Sequence, residues 1–81
     1  MKTIIKTLKI TNIEKLNNSI YGNPKRKIYA IDENGNEYIG NTKTNGAIGY
    51  LIDYYSINRK YIFNFHYTNN GNLIFDYAKN I

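Results

Sequence analysis

Residues 25–42 read KRKIYAIDENGNEYIGNT. Two runs rich in β-branched and aromatic residues, Lys25 to Asp32 and Glu37 to Thr42, flank the polar tetrad Glu33, Asn34, Gly35, Asn36, the pattern of a β-hairpin. Asn34 followed by Gly35 suits a two-residue type I′ turn, whose central residues need positive φ. Such a turn sets Ile31 opposite Tyr38, Ala30 opposite Ile39 and Tyr29 opposite Gly40. One face then carries Ile28, Ala30 and Ile39, and the other carries Lys27, Tyr29, Ile31 and Tyr38.

Upstream, Ile4, Leu8 and Ile10 share one side of an extended segment from about Thr3 to Ile13, and Ile13 and Leu16 continue it on a different phase. That change predicts a long, bent first strand. Gly22, Asn23 and Pro24 then mark a turn, because glycine permits positive φ while proline fixes its own φ and restricts Asn23. Downstream, Ile48, Leu51, Ile52 and Tyr55 recur at helical spacing, with Thr44 or Asn45 as N-cap; Gly46 and Gly49 lower helix propensity and predict a short helix. Tyr61 to Thr68 and Leu73 to Ala78 form a second hairpin around Asn70 and Gly71. A two-residue turn there puts Tyr61, Phe63, Phe65 and Tyr67 on one face with Ile74 and Ala78, and leaves His66, Phe75 and Tyr77 on the other.

The order strand, strand, strand, short helix, strand, strand, with a long first strand, is that of an OB-like five-stranded barrel, with an SH3-like barrel as the alternative. The 81 residues allow one domain, spanning 1–81, with a single core. The chain has no cysteine and one histidine, so neither disulfides nor a multi-ligand metal site supplements that core. Nine tyrosines and three phenylalanines are the material for it. No run approaches a membrane span and the start lacks a signal-peptide pattern, so the expected location is the cytoplasm, with no membrane partner. Aromatics on both faces of the last hairpin predict a homo-oligomer, with Phe75 and Tyr77 covered by a second chain.

No nucleophile elbow or glycine-rich phosphate loop is present, and no cofactor is expected. His66 reads as a packed or solvated residue. The carboxylates Asp32, Glu33 and Glu37 sit about a hairpin tip, where they keep the turn polar and are poorly placed for acid and base work. The chain therefore reads as a binding module and not an enzyme. A net charge of +5 favours polyanions, although more than half the residues are Ile, Asn, Lys or Tyr, and AT-rich coding raises lysine without selection for any partner.

The informative cluster is Ser19 to Tyr29, where Lys25, Arg26 and Lys27 follow a rigid turn and lie between Tyr21 and Tyr29. In an OB-like barrel the outer face of strands two and three is the ligand surface, framed by the loops between strands one and two and between four and five. Lys25, Arg26 and Lys27 are candidates to meet phosphate, Tyr21, Tyr29 and Tyr38 to stack on bases, and Ser19 and Asn23 to supply polar contacts. Two bland readings compete: Tyr29 and Tyr38 face inward, or the basic run protects a sheet edge from aggregation. The tyrosines and lysines also suit a protein interface. Arg59 and Lys60 read as a helix-end or solvated pair.

Leu16, Ser19 and Gly22 to Lys25, followed by an Asn-Gly hairpin and Thr42 to Thr44, resemble small, mostly uncharacterised accessory proteins of bacteriophages and prophages. Arg26 departs from that pattern, which places an apolar or aromatic residue there. The resemblance implies a location in a bacterial host cell and a role in countering host defence. Two routes are open: binding a signalling nucleotide or single-stranded nucleic acid, or binding a host defence protein in the manner of an anti-CRISPR inhibitor.

Overall fold

The computed structural model describes residues 2–18, 22, 24–44 and 48–81. Five strands, β1 (Ile4–Leu16), β2 (Lys25–Ile31), β3 (Glu37–Thr42), β4 (Lys60–Tyr67) and β5 (Leu73–Asn80), close in the order β1-β2-β3-β5-β4 and return to β1. A short helix, α1 (Ile48–Leu51), lies between β3 and β4. All pairings are antiparallel except β3 with β5. This is the OB-like barrel.

The first strand serves two partners. Ile4 to Lys9 pair with β4, and Lys9 to Leu16 pair with β2. Between Ile10 and Asn12 the register slips, leaving Thr11 as the extra residue of a bulge. A bulge shifts the alternation by one, so Leu8 and Ile10 face inward before it and Ile13 faces inward after it. That is the phase change visible between Ile10 and Ile13. Gly22 holds φ of +78°, as the turn signal requires.

Both hairpins differ from the expected turn in the same way. In the first, Gly35 N–H donates to the Asp32 carbonyl (3.0 Å) and Asp32 N–H to the Asn36 carbonyl (3.0 Å), which makes a three-residue loop with Gly35 last, at φ +83°. The Asp32 carboxylate holds it by accepting from the backbone N–H groups of Asn34 and Asn36, both at 2.9 Å. In the second, Thr68 and Gly71 take the same positions, with Gly71 at φ +81° and the Thr68 hydroxyl accepting from Asn72 N–H.

One extra loop residue moves the register by one and turns the following strand over. Ala30 thus pairs with Tyr38 and Tyr29 with Ile39. Tyr38, expected on the outer face, packs inward with its ring 5.6 Å from that of Phe65, while Ile39, expected inside, is 42% exposed. In the last hairpin Phe75 is fully buried, 5.0 Å from Phe63 and 5.8 Å from Phe65 by ring centroids, so it needs no second chain. Ile74 turns outward, and Tyr67 is exposed. Beyond Phe75 a bulge at Asp76 reverses the phase again, returning Ala78 to the core and leaving Tyr77 exposed. The helix ends before Tyr55, which is exposed; Asp53 starts a separate 3-10 turn over Tyr54–Ser56. Asn45 and Gly46 lie outside the described residues.

The three phenylalanines and Leu8, Ile10 and Ile28 fill the barrel, and Ile48 of the helix and Ile52 just after it join the same core. Closure depends on Gly40. Its inward side meets the backbone of Leu73, and a Cβ there would run into the Leu73 carbonyl oxygen and lie 2.6 Å from Leu73 Cδ2. Gly40→Ala is expected to lower stability by about 1–3 kcal/mol or more through backbone overpacking. At Gly35 a Cβ meets nothing within 4 Å, so Gly35→Ala carries only the left-handed backbone cost of about 1–2 kcal/mol. Chemical denaturation of both variants checks the ranking, and equal midpoints would contradict it.

Candidate functional site

The outer surface of β2 and β3 follows from the observed register. Lys25, Lys27, Tyr29 and Ile31 point outward along β2. Asn41 stands across from Lys27, Ile39 from Tyr29, and Glu37 from Ile31. On the other side β1 places Leu16 beside Lys25, Glu14 beside Lys27 and Asn12 beside Tyr29. Glu14 and Leu16 of β1, Lys27 of β2 and Ile39 to Asn41 of β3, together with the turn between β4 and β5, line a groove of about 570 Å³ whose polar wall includes Glu14, Lys27, Asn41, Thr68 and Asn72; Tyr29 stands beside it along β2. Ile39 and Ile74 supply apolar surface within it. A cleft of this size accommodates a nucleotide-sized molecule.

Lys27 and Tyr29 are the best-defined pair on this face. They are two apart on one strand, and the Lys27 ammonium lies 5.4 Å from the centroid of the Tyr29 ring. The Thr11 hydroxyl of the bulge donates to the Tyr29 carbonyl at 3.1 Å, which anchors the backbone behind the ring. Thr68 and Asn72 of the β4–β5 turn line the groove, and the Thr68 hydroxyl accepts from the Asn72 N–H at 3.2 Å.

The other sequence candidates divide into three groups. Lys25 is outward and half-buried at the start of β2. Ser19, Tyr21 and Asn23 fall outside the described residues. Arg26 and Tyr38 leave the face, as inward-pointing corrections to the expected set. Tyr38 sits at the other end of the barrel, where its hydroxyl donates to Asp32 Oδ2 (3.4 Å) and Lys6 lies 5.9 Å over its ring.

Arg26 is buried, at 8% exposure. Its backbone N–H donates to Thr42 Oγ1 (3.0 Å) and its guanidinium meets Asp53 Oδ2 at 3.4 Å. Lys15, the cross-strand neighbour of Arg26, lies 3.8 Å from Asp53 Oδ1. Asp53 is also the cap of the 3-10 turn, accepting from Tyr54 N–H at 2.7 Å, while Ser56 Oγ accepts from the Asp53 backbone and from the Tyr61 hydroxyl. A charge in this inward position is tolerated because it lies at the barrel end, within reach of a carboxylate. Among the described residues Arg26 Nε has no acceptor, which leaves Asp53 as the counter-charge of the group.

Asn41, Ile39, Glu14, Thr68 and Asn72 were not legible as site residues. For all but Glu14, which β1 carries, the signal was the loop type. Asp or a small hydroxyl residue three positions before glycine favours a β-turn ending on that glycine, and Asp32 with Gly35 and Thr68 with Gly71 have that spacing. Among the described residues, no group of three or more His, Cys, Asp or Glu side chains is arranged to hold a metal. No helix among them is long and apolar enough to cross a membrane. No family model, curated protein or solved structure matches the chain.

The Tyr54 N–H holds the Asp53 carboxyl below its ordinary value of 3.8; partial desolvation opposes this, and the charges of Arg26 and Lys15 add to the lowering. A depressed carboxyl contributes stability that is complete above the unfolded value and is lost as pH falls through the folded one. Asp53→Asn is expected to unfold at lower temperature than the parent at pH 7, with the gap narrowing as pH drops below 3.8. Asp32 retains some acid sensitivity in that variant. Desolvation pushes its carboxyl upward, but hydrogen bonds from the Asn36 side chain and from the Asn36 and Asn34 backbone outweigh it and hold the group below 3.8. Thermal melts between pH 2 and 7 check this; a gap that stays constant would contradict it.

Proposed function

We propose that the chain is a non-enzymatic binding module that takes an anionic nucleotide-type ligand, a signalling nucleotide or single-stranded nucleic acid, in the groove over β2 and β3. The observation that carries this reading is the Lys27 ammonium, which lines a nucleotide-sized groove and lies 5.4 Å from the ring of Tyr29, the next outward residue of β2. On binding, the ammonium moves from the ring to a phosphate, and a base takes its place on the aromatic face. Lys25, the preceding outward residue of β2, meets the neighbouring phosphate. Asn41, Thr68 and Asn72 offer amide and hydroxyl groups to the base edge or sugar. In a bacterial host, as the resemblance of the Gly22 to Lys25 loop implies, such a module counters defence by sequestering the nucleotide signal.

A second reading, docking onto a host defence protein, is favoured by one observation. Tyr50, Tyr54 and Tyr55 are all exposed on the helical cap, with Lys15 5.0 Å over the Tyr54 ring. Tyrosines dominate many protein interfaces, and adjacent lysines steer association. The two readings use different side chains, so substitutions separate them.

Titration with short single-stranded oligonucleotides and cyclic dinucleotides, followed by thermal shift and fluorescence, tests the first reading. Lys27→Gln is expected to reduce the slope of log affinity against log salt for an oligonucleotide by about 0.7, through loss of one phosphate contact. Tyr29→Ala is expected to leave that slope unchanged and cost about 1–3 kcal/mol in affinity. Tyr54→Ala is neutral toward nucleotides. Absence of stabilisation by every nucleotide, with host-protein capture lost in Tyr54→Ala, would establish the second reading instead.

A further inference from the structure

A separate cavity of about 510 Å³ opens on the flank of the barrel, where β1 passes from β4 to β2. Lys9 is the hinge of that crossing. It pairs with Ile31 of β2 on one side and with Lys60 of β4 on the other. Two lysines directly opposite on adjacent strands hold their Cβ atoms about 4.5–5.5 Å apart, an arrangement that repels unless an anion lies between or above them. Thr7, the preceding outward residue of β1, brings a hydroxyl to the same wall.

The facing wall is the first hairpin loop, with Asp32 and Glu33. Asp32 is committed to its own turn, to Tyr38 and to the charge of Lys6. Glu33 is exposed. The ion pairs among the described residues lie elsewhere, at Lys15–Asp53, Arg26–Asp53 and His66–Asp76. Lys9 and Lys60 thus line one side of the cavity and Glu33 the other without closing on each other. In the sequence Lys60 reads as a helix-end or solvated residue and Lys9 carries no signal, because their juxtaposition exists only through the β1–β4 register.

We propose that this cavity binds a small amine-bearing phosphate monoester, distinct from any ligand of the β2–β3 groove. Two ammonium groups and a hydroxyl match the near-double charge and three oxygens of a monoester, which a single carboxylate would leave half-compensated. Glu33 receives the ammonium at the other end. The volume suits a small molecule, and the separation of the two signs orients it.

The test uses O-phosphoethanolamine as probe, with inorganic phosphate and ethanolamine as its two halves, followed by amide NMR shifts of the full chain. O-phosphoethanolamine is expected to shift Thr7, Lys9, Ile31 to Glu33 and Lys60, and to bind about tenfold or more tighter than either half, the value of one added charged hydrogen bond. Lys60→Gln is expected to weaken both phosphate compounds. Glu33→Gln is expected to weaken O-phosphoethanolamine and spare inorganic phosphate. Both side chains are exposed, so the variant spectra report an intact fold. Shifts absent from these residues, phosphate binding as tightly as O-phosphoethanolamine, or indifference to Glu33→Gln would each overturn the proposal.

Discussion

The barrel is held shut by a short contact. β3 and β5 run parallel and share only two register pairs, Asn41 with Ile74 and Thr42 with Phe75, extended by the Lys43 N–H donating to the Phe75 carbonyl at 2.9 Å. Everything else in the sheet is joined by long antiparallel ladders, so this is the seam at which the surface would otherwise remain an open sheet with two free edges. Gly40 is required there because the Leu73 backbone occupies the space a side chain would need. The phenylalanine cluster lies behind the seam, with Phe75 joined to Phe63 and Phe65. Closure therefore both removes the edges and buries the largest apolar surface.

The same seam creates the candidate groove. Because β5 approaches β3 only near Asn41, the β4–β5 turn stands over the outer face of β3, and Thr68 and Asn72 become walls. Support for the face comes from the same end of the barrel, on its inward side. Arg26 and Lys15 converge on Asp53, and the inward side of Gly49 abuts Pro24, so the helical cap is tied to the start of β2 from two directions. Lys25 and Lys27 alternate with Arg26 along one strand. A single residue step thus separates a charge that holds the cap from the charges available to a ligand.

The candidate set drawn from sequence mixed these roles for that reason. A basic triplet within a strand cannot all face one way. The presence of Ile28 and Ala30 at positions that must be buried already places Arg26 on their side. What sequence did not offer was the partner: Asp53 is 27 residues away and belongs to a 3-10 turn that interrupts the expected helical face. The strand-two phase is legible in the sequence, and Lys27 and Tyr29 are outward as it predicts. The strand-three phase was lost with the loop, and Tyr38 with it.

Local sequence determined what depends on neighbours along the chain. The number and order of strands, the bend in the first one, the turn at Gly22 and the short helix all follow from alternation, β-branched and aromatic content, and glycine placement. These are properties of segments a few residues long. The faces of β3 and of the start of β5 were also set locally, by turn chemistry that the Asn-Gly pairs do not reveal. Asp32 and Thr68 cap three-residue loops, and a one-residue change in loop length inverts the side chains that follow, moving Tyr38 and Phe75 inside and Ile39 and Ile74 out, until the bulge at Asp76 restores the phase in β5. Tertiary structure decided which distant residues meet: Lys9 with Lys60, Arg26 with Asp53, and Asn41 with the β4–β5 turn. Such contacts arise from register and closure, which are set by the packing of the whole barrel, and no segment carries them alone.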